Sequence, residues 1–354
     1  MILLSIQLLL ILTPIVVIIY YYTKHNICCT IEPRTHQYLS NKTIWITGAS
    51  SGIGQSIAIQ CSQLHNTQLI LSARNIEQLN YTAQQCMTYN QKNKPLIVAL
   101  DSFELANNSN KSNDIVQNTL QQLHEQYSIT RIDVLINSSG ISVRGNAIDT
   151  KLDVDHQVMN CNYFGTISLV KAVLQHIRTH TINNNNHNDD NNTTNTTTSR
   201  ASATQQPDYN IVQISSVQGL IGNGLRSSYA ASKFALHGYY ESLRYELYDT
   251  LPHIHLSLIC PGYVNTNLSM NALTSSGVKH NKLDASTANG QSSDIIAIKV
   301  LNVISMKQDY VLLADMKTHI ACWLYQFAPA VLCRVMSSRA NKERLTMEQD
   351  SKFH

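Results

Sequence analysis

Charge is scarce in this chain. Only 14% of its 354 residues are Asp, Glu, Lys or Arg, and their formal balance is +3. Asn, Gln, Ser and Thr take the places that charge leaves. So small a balance, with no long basic stripe, excludes a nucleic-acid partner. No C-x-x-C pair occurs among the eight cysteines. Most thiols sit in apolar runs and read as free thiols of a reducing compartment. His176 and His180 are four apart, but no H-E-x-x-H and no third ligand accompany them. No metal site is expected. The G-x-S-x-G elbow is also missing, which argues against serine hydrolysis.

Long apolar stretches are rare too, with one exception. Residues 2–22 carry no charge and are interrupted only by Ser5, Gln7, Thr13 and Pro14. About 20 helical residues cross a bilayer core. A cleaved signal peptide would begin with basic residues and have a shorter apolar core. Here the cations Lys24, Arg34 and Lys42 follow the run, and Tyr20, Tyr21 and Tyr22 precede them as an interfacial belt would. The expectation is a retained single-pass anchor over residues 1–23, a linker over 24–40 and a globular part in the cytosol. Cys28 and Cys29 lie beside the anchor, where palmitoylation occurs.

From residue 41 short apolar runs alternate with helical stretches. The pattern predicts strands over 43–47, 68–72, 96–100, 133–137, 210–215, 255–260 and 310–313. It predicts helices over 54–64, 76–89, 115–126, 154–178, 228–248 and 293–304. Such alternation specifies an α/β fold, a Rossmann-like doubly wound parallel sheet, as a single domain over 41–314. Residues 181–206 are Asn/Thr/Ser-rich and too polar to offset ordering entropy, so they read as a disordered insert. Residues 315–354 read as an amphipathic helical tail. It could pack on the domain, on a membrane surface or on a second subunit, which leaves a homodimer open.

Chemistry concentrates at three places. Gly48, Ser50, Ser51, Gly52, Ile53 and Gly54 lie between the first strand and the first long helix of the domain. There glycines let the backbone approach a pyrophosphate at a helix N-terminus. Arg74 follows the second strand, where an NAD enzyme usually carries a carboxylate. A guanidinium matches a 2′-phosphate, so NADP is preferred over NAD. Tyr229 and Lys233 are four apart on a helix and share a face. An ammonium there lowers the phenol's pKa and suits Tyr229 to general acid/base work. Ser216, at a strand end, offers a hydroxyl to the substrate oxygen.

At these residues the chain resembles the short-chain dehydrogenase/reductase family. T-G-A-S-S-G-I-G from Thr47, Asp101, N-S-S-G from Asn137, N-Y-F-G from Asn162, I-S-S from Ile214, Y-A-A-S-K from Tyr229 and P-G-Y-V-N-T from Pro261 occur in the family's order. The resemblance implies that Tyr229 is the acid/base, that Lys233 also holds the nicotinamide ribose, that Ser216 steadies the substrate oxygen, and that Asn162 holds a relay water. It puts Gly48, Ser50, Ile53 and Arg74 at the cofactor's phosphates and ribose. It puts Asp101 at the adenine and Asn137 beside the cofactor. Pro261, Gly262, Val264 and Thr266 would border the nicotinamide. Ser138 and Ser139 depart from the family's N-N-A-G and put the packing of that strand end in doubt.

The N-terminal run, Gly140-Ile141-Ser142 and the tail pattern from Ala328 resemble the family's member 7B subgroup. That likeness implies an intracellular membrane, endoplasmic reticulum or peroxisome. Tethering there raises the local concentration of a substrate that partitions into lipid, so the expected substrate is a lipophilic small molecule. Two other readings are an NAD-linked alcohol dehydrogenase and a non-catalytic scaffold that binds the cofactor.

Overall fold

The run Thr-Ile-Trp-Ile-Thr shows no polar alternation, and all five residues are buried. That is how a strand covered on both faces reads. The computed structural model describes residues 29–189 and 207–352. This run is β1 (Thr43–Thr47), within a seven-stranded sheet. The other strands are β2 (Gln68–Ala73), β3 (Leu96–Ala99), β4 (Val134–Asn137), β5 (Tyr209–Ile214), β6 (Ile254–Pro261) and β7 (Tyr310–Leu313). All seven expected strands are present, each end within one residue of its predicted place. The order is β7-β6-β5-β4-β1-β2-β3, and every pairing is parallel. The winding reverses between β1 and β4. A ligand crevice opens at the carboxyl ends of strands at such a reversal.

The α-helices of six residues or more among the described residues are α1 (Pro33–Leu39), α2 (Gly52–Ser62), α3 (Ile76–Tyr89), α4 (Ser102–Asn107), α5 (Ser109–Tyr127), α6 (Leu152–Met159), α7 (Gly165–Asp189), α8 (Ser227–Thr250), α9 (Ser293–Ser305), α10 (Met316–Phe327) and α11 (Pro329–Lys352). Side chains alternate across a strand, so β1 serves two cores. Ile44 and Ile46 pack with Ile57 of α2 and Val300 of α9. Trp45 packs on the other face with Val170 of α7 and Tyr240 of α8.

Several expectations need correction. The stretch read as a linker over 24–40 contains α1, which is docked. Leu39 is fully buried, and Thr35 Oγ1 donates to Asn302 Oδ1 of α9 at 2.8 Å. Asn302 Nδ2 donates in turn to the Thr30 carbonyl at 3.0 Å. A helix of seven residues is too short to show its period, and its anchor lies far along the chain. The expected disordered insert begins too early, because α7 runs to Asp189. Lengthening an existing helix adds a backbone hydrogen bond per residue without a new nucleation cost. The rest of that insert, 190–206, lies outside the described residues, as does the anchor expected over 1–23. Among the described residues no helix is long and apolar enough to cross a membrane.

The helix expected over 154–178 is interrupted. A π turn, Asn160–Phe164, joins α6 to α7. In the tail, Leu332 of α11 is buried against Val217 and Ile221, with Leu324 of α10 alongside. The two tail helices therefore cover the segment that follows β5.

Candidate active site

β1 delivers Thr47 to the crevice. Its Oγ1 accepts from the backbone N–H of Ser138 at 3.2 Å and of Ser139 at 3.4 Å. The carboxyl ends of β1 and β4 are thus tied together, and Ser138 and Ser139 keep the strand end packed. Gly48 follows at φ 66°, and a Cβ there would lie 2.9 Å from Ser139 Cα. Gly52 opens α2 at φ 58°, with the Thr266 methyl 3.1 Å from where its Cβ would stand. A Cβ on Gly54 would run into the Gly48 carbonyl. Only glycine suits the left-handed turns or these close approaches. The half-buried Ser50 and exposed Ser51 complete the loop. Ser51 makes no side-chain capping bond, so the first N–H groups of α2 are left for an outside acceptor. Ile53 packs against the core beneath the loop.

Arg74 is exposed, one residue beyond β2. Asp101 caps α4, its Oδ1 accepting from Phe103 N at 2.9 Å. Both act electrostatically on the buried Cys161 thiol, which burial pushes up to about 11. They therefore lie toward the same end of the sheet as the π turn. The Asn137 side chain goes elsewhere: its amide reaches the Tyr240 hydroxyl at 3.5 Å, in the core between sheet and α8. Pro261 ends β6. Gly262 donates to the Leu313 carbonyl at 2.9 Å. Val264 pairs with Gln291, and Thr266 stands against the glycine loop.

The π turn positions Asn162. Such bulges are frequent at functional sites because one extra residue re-aims the helix face. The fully buried Asn162 accepts from Ile141 N at 2.8 Å through Oδ1. Its Nδ2 donates to the Ile141 carbonyl and to Ser232 Oγ, both at 2.9 Å. One amide thus joins the loop after β4 to the helix that carries Tyr229 and Lys233. Gly165 makes the turn possible, since any Cβ there would overlap the Ser102 carbonyl.

Ser216, Tyr229 and Lys233 are all buried. Burial raises the Tyr229 pKa above the usual phenol value. The Ser216 hydrogen bond and the guanidiniums of Arg144 and Arg226 pull it back in part. Burial also pushes Lys233 down to about 8. Its Nζ donates to the Ile214 carbonyl at 3.1 Å. The phenol therefore has electrostatic neighbours besides the lysine that the spacing points to. The lysine Nζ sits over the ring, and the guanidiniums of Arg144 and Arg226 act on the phenol as well. Neither arginine was visible as a site residue in sequence, because nothing local links positions 144 and 226 to 229.

What the arrangement offers is a buried phenol bonded to a serine, with an ammonium and two guanidiniums near. Such a phenol can exchange a proton with a substrate oxygen. The described residues contain no cluster of His, Cys, Asp or Glu fit to hold a metal.

Known proteins share this plan. The model for short chain dehydrogenases matches residues 42–183 and 192–276. Mouse (Mus musculus) dehydrogenase/reductase SDR family member 7B is 33% identical over 313 residues, covering 88% of this chain and 85% of the relative. A dehydrogenase/reductase SDR family protein 7-like from Anopheles gambiae is 35% identical, covering 88% and 87%. Among solved structures, a Burkholderia phymatum short chain dehydrogenase/reductase in complex with NAD superposes with a TM-score of 0.59 at 18% identity, covering 88% and 96%. A short chain dehydrogenase from Escherichia coli complexed with NADPH gives 0.59 at 21% identity, covering 80% and 99%. At these identities the structural likeness speaks to the fold.

Proposed function

The chain belongs to the short-chain dehydrogenase family, and from that membership we propose an NADP(H)-dependent enzyme that interconverts a lipophilic carbonyl compound and its alcohol at an intracellular membrane. The observation that carries the chemistry is the convergence of Ser216, Tyr229, Lys233 and Asn162 at the crevice where the sheet reverses.

The residues fit a dinucleotide. Gly48 and Gly52 hold left-handed turns that leave the backbone bare, and α2 presents its N-terminus to the same loop. Similar folds hold NAD or NADPH, so the choice rests on Arg74. It is exposed beyond β2, where a guanidinium serves a 2′-phosphate. The nicotinamide, when bound, supplies or accepts the hydride.

In the reducing direction the Tyr229 hydroxyl gives its proton to the substrate oxygen, and the Ser216 hydroxyl donates a hydrogen bond to that oxygen. Lys233, with a pKa of about 8, recharges the tyrosine by way of a water near Asn162. Asn162 keeps the loop after β4 and α8 in register through Ile141 and Ser232.

Tyr229 shares an apolar cluster with Ile141, Val143, Leu268 and Leu273, which supports an apolar substrate. An anchor at residues 1–23 would raise the local concentration of a substrate that partitions into lipid. The test compares full-length protein with a form lacking residues 1–23. Each is given NADPH and either a soluble aromatic aldehyde or a long-chain ketone in phosphatidylcholine vesicles. Equal rates on the aldehyde and a lower rate for the shortened form on the vesicle ketone are expected. Release of full-length protein from membranes by high salt alone would end the anchor reading.

A further inference from the structure

Two buried arginines act electrostatically on Tyr229, and the proton path uses neither. Arg144 lies beyond β4. Its Nε donates to Asp284 Oδ2 at 2.7 Å, and its Nη2 lies 2.6 Å from the same oxygen. Arg226 immediately precedes α8. Its Nη2 reaches that oxygen at 3.2 Å, and its Nη1 reaches Glu343 Oε2 at 2.7 Å. Arg144 is 5% exposed and Arg226 3%. A cation so buried is stable only while its carboxylates stay in place. Removing either carboxylate therefore disturbs the contact with the other.

The two carboxylates belong to different parts of the fold. Asp284 lies on the segment 265–291, whose Leu268 and Leu273 pack against the cluster that contains Tyr229. Burial would raise its pKa, but His280, Arg144 and Arg226 outweigh this and hold it well below the usual range. Glu343 lies on α11 and is also bonded by Arg339 Nε at 3.1 Å. Arg339 Nη2 donates to the Tyr263 hydroxyl at 2.7 Å, next to Gly262 and Val264. α11 thus contacts both Arg226, before α8, and Tyr263, after β6.

The chain leading into Arg226 is strained. Leu225 has φ 63°, a left-handed conformation that is uncommon for a side chain of its bulk. A Cβ on Gly224 would lie 2.5 Å from the Cβ of Ala340 on α11. The Leu225 carbonyl accepts from Gly145 N at 3.0 Å. Arg226 then starts α8 without a side-chain capping bond. Such a backbone persists only where its surroundings over-determine it. By contrast, the segment 265–291 is tied down by short ladders, Val264–Asn265 with Gln291–Ser292 and Val143–Arg144 with Leu273–Thr274.

We propose that Arg226 is a positioning residue through which α11 controls the substrate cover. Glu343 holds Arg226, Arg226 holds Asp284, and Asp284 keeps residues 265–291 closed over Tyr229. Loss of Glu343 opens the cover and loosens the first turn of α8. The functional meaning of this coupling rests on Tyr229 being the proton donor, whereas its existence does not.

Amide hydrogen exchange on the full chain tests it without needing the natural substrate. Glu343→Ala should speed exchange of amides in 265–291 by about tenfold, although the change is on α11. Glu343→Gln keeps the shape and one acceptor and should fall between the two, which guards against a variant that fails to fold. Coupling is reciprocal, so Asp284→Asn should speed exchange in 339–346. In NADPH-driven reduction of 9,10-phenanthrenequinone, Glu343→Gln should raise KM more than it lowers kcat. Tyr229→Phe should leave exchange unchanged and slow the reduction by roughly 10²–10⁴. If Tyr229→Phe turns over at a near-normal rate, the acid/base reading fails, and the exchange arm still judges the coupling. Faster exchange confined to α11 in both Glu343 variants would overturn the proposal.

Discussion

The Nζ of Lys233 stands 5.6 Å from the centroid of the Tyr229 ring, over its face, and is bonded to the Ile214 carbonyl at 3.1 Å. The pair shares a helix face as the i, i+4 spacing requires. Its electrostatics are those of a buried site: the lysine is pushed down to about 8, and the tyrosine is raised. Two guanidiniums and a serine then offset part of the tyrosine's burial.

Tyr229→Phe removes one hydroxyl from a fully packed position. Turnover should fall by roughly 10²–10⁴ with cofactor affinity nearly intact. Steady-state rates and a fluorescence titration with NADPH check both halves. Near-normal turnover would remove Tyr229 from the proton path.

Arg74→Ala should weaken NADPH and spare NADH, because only NADPH carries the 2′-phosphate. The loss should be about 1.5–3 kcal/mol for a charge-assisted contact. Calorimetric titration with each cofactor decides, and equal losses would remove the argument for NADP.

The depressed pKa of Lys233 has a consequence for stability. A lysine that titrates at about 8 when folded and at 10.5 when unfolded releases its proton on folding between those values. The unfolded state binds more protons there, so this group's contribution rises with pH across that window. A shift of that size corresponds to about 3 kcal/mol. The buried thiols of Cys61 and Cys260, raised by burial, act in the opposite sense as the unfolded thiols ionise. The informative quantity is therefore wild type minus Lys233→Met. Urea unfolding of the cofactor-free protein from pH 7 to 10 should show that difference rising with pH. A flat difference would mean that Lys233 titrates normally.

Gly165→Ala should be severe for a single methyl. The new Cβ would overlap the Ser102 carbonyl, and backbone cannot give way as a flexible side chain can. A destabilisation of roughly 3 kcal/mol is expected. Any folded fraction should turn over poorly, because the π turn that seats Asn162 would shift. Denaturant midpoints and rates on the same samples check this. A variant with wild-type stability and rate would show that the turn adapts.

The sequence alone was enough for the order of strands and helices, the glycine loop and the Tyr229–Lys233 face. Each of these is a short-range pattern: strand runs, helical spacing, and glycines at turns only they can adopt. Tertiary structure decided the rest. Helix α1 exists as a docked element because Asn302 receives it. The helix expected over 154–178 carries a π turn, and Gly165 beside it packs directly on the Ser102 carbonyl of α4. Asn137 turns to Tyr240, into the core. Arg144, Arg226, Asp284 and Glu343 come from four distant stretches and look like ordinary surface charges when read in line. Only packing buries the two guanidiniums against the carboxylates, and that burial turns unrelated charges into one coupled group beside the tyrosine.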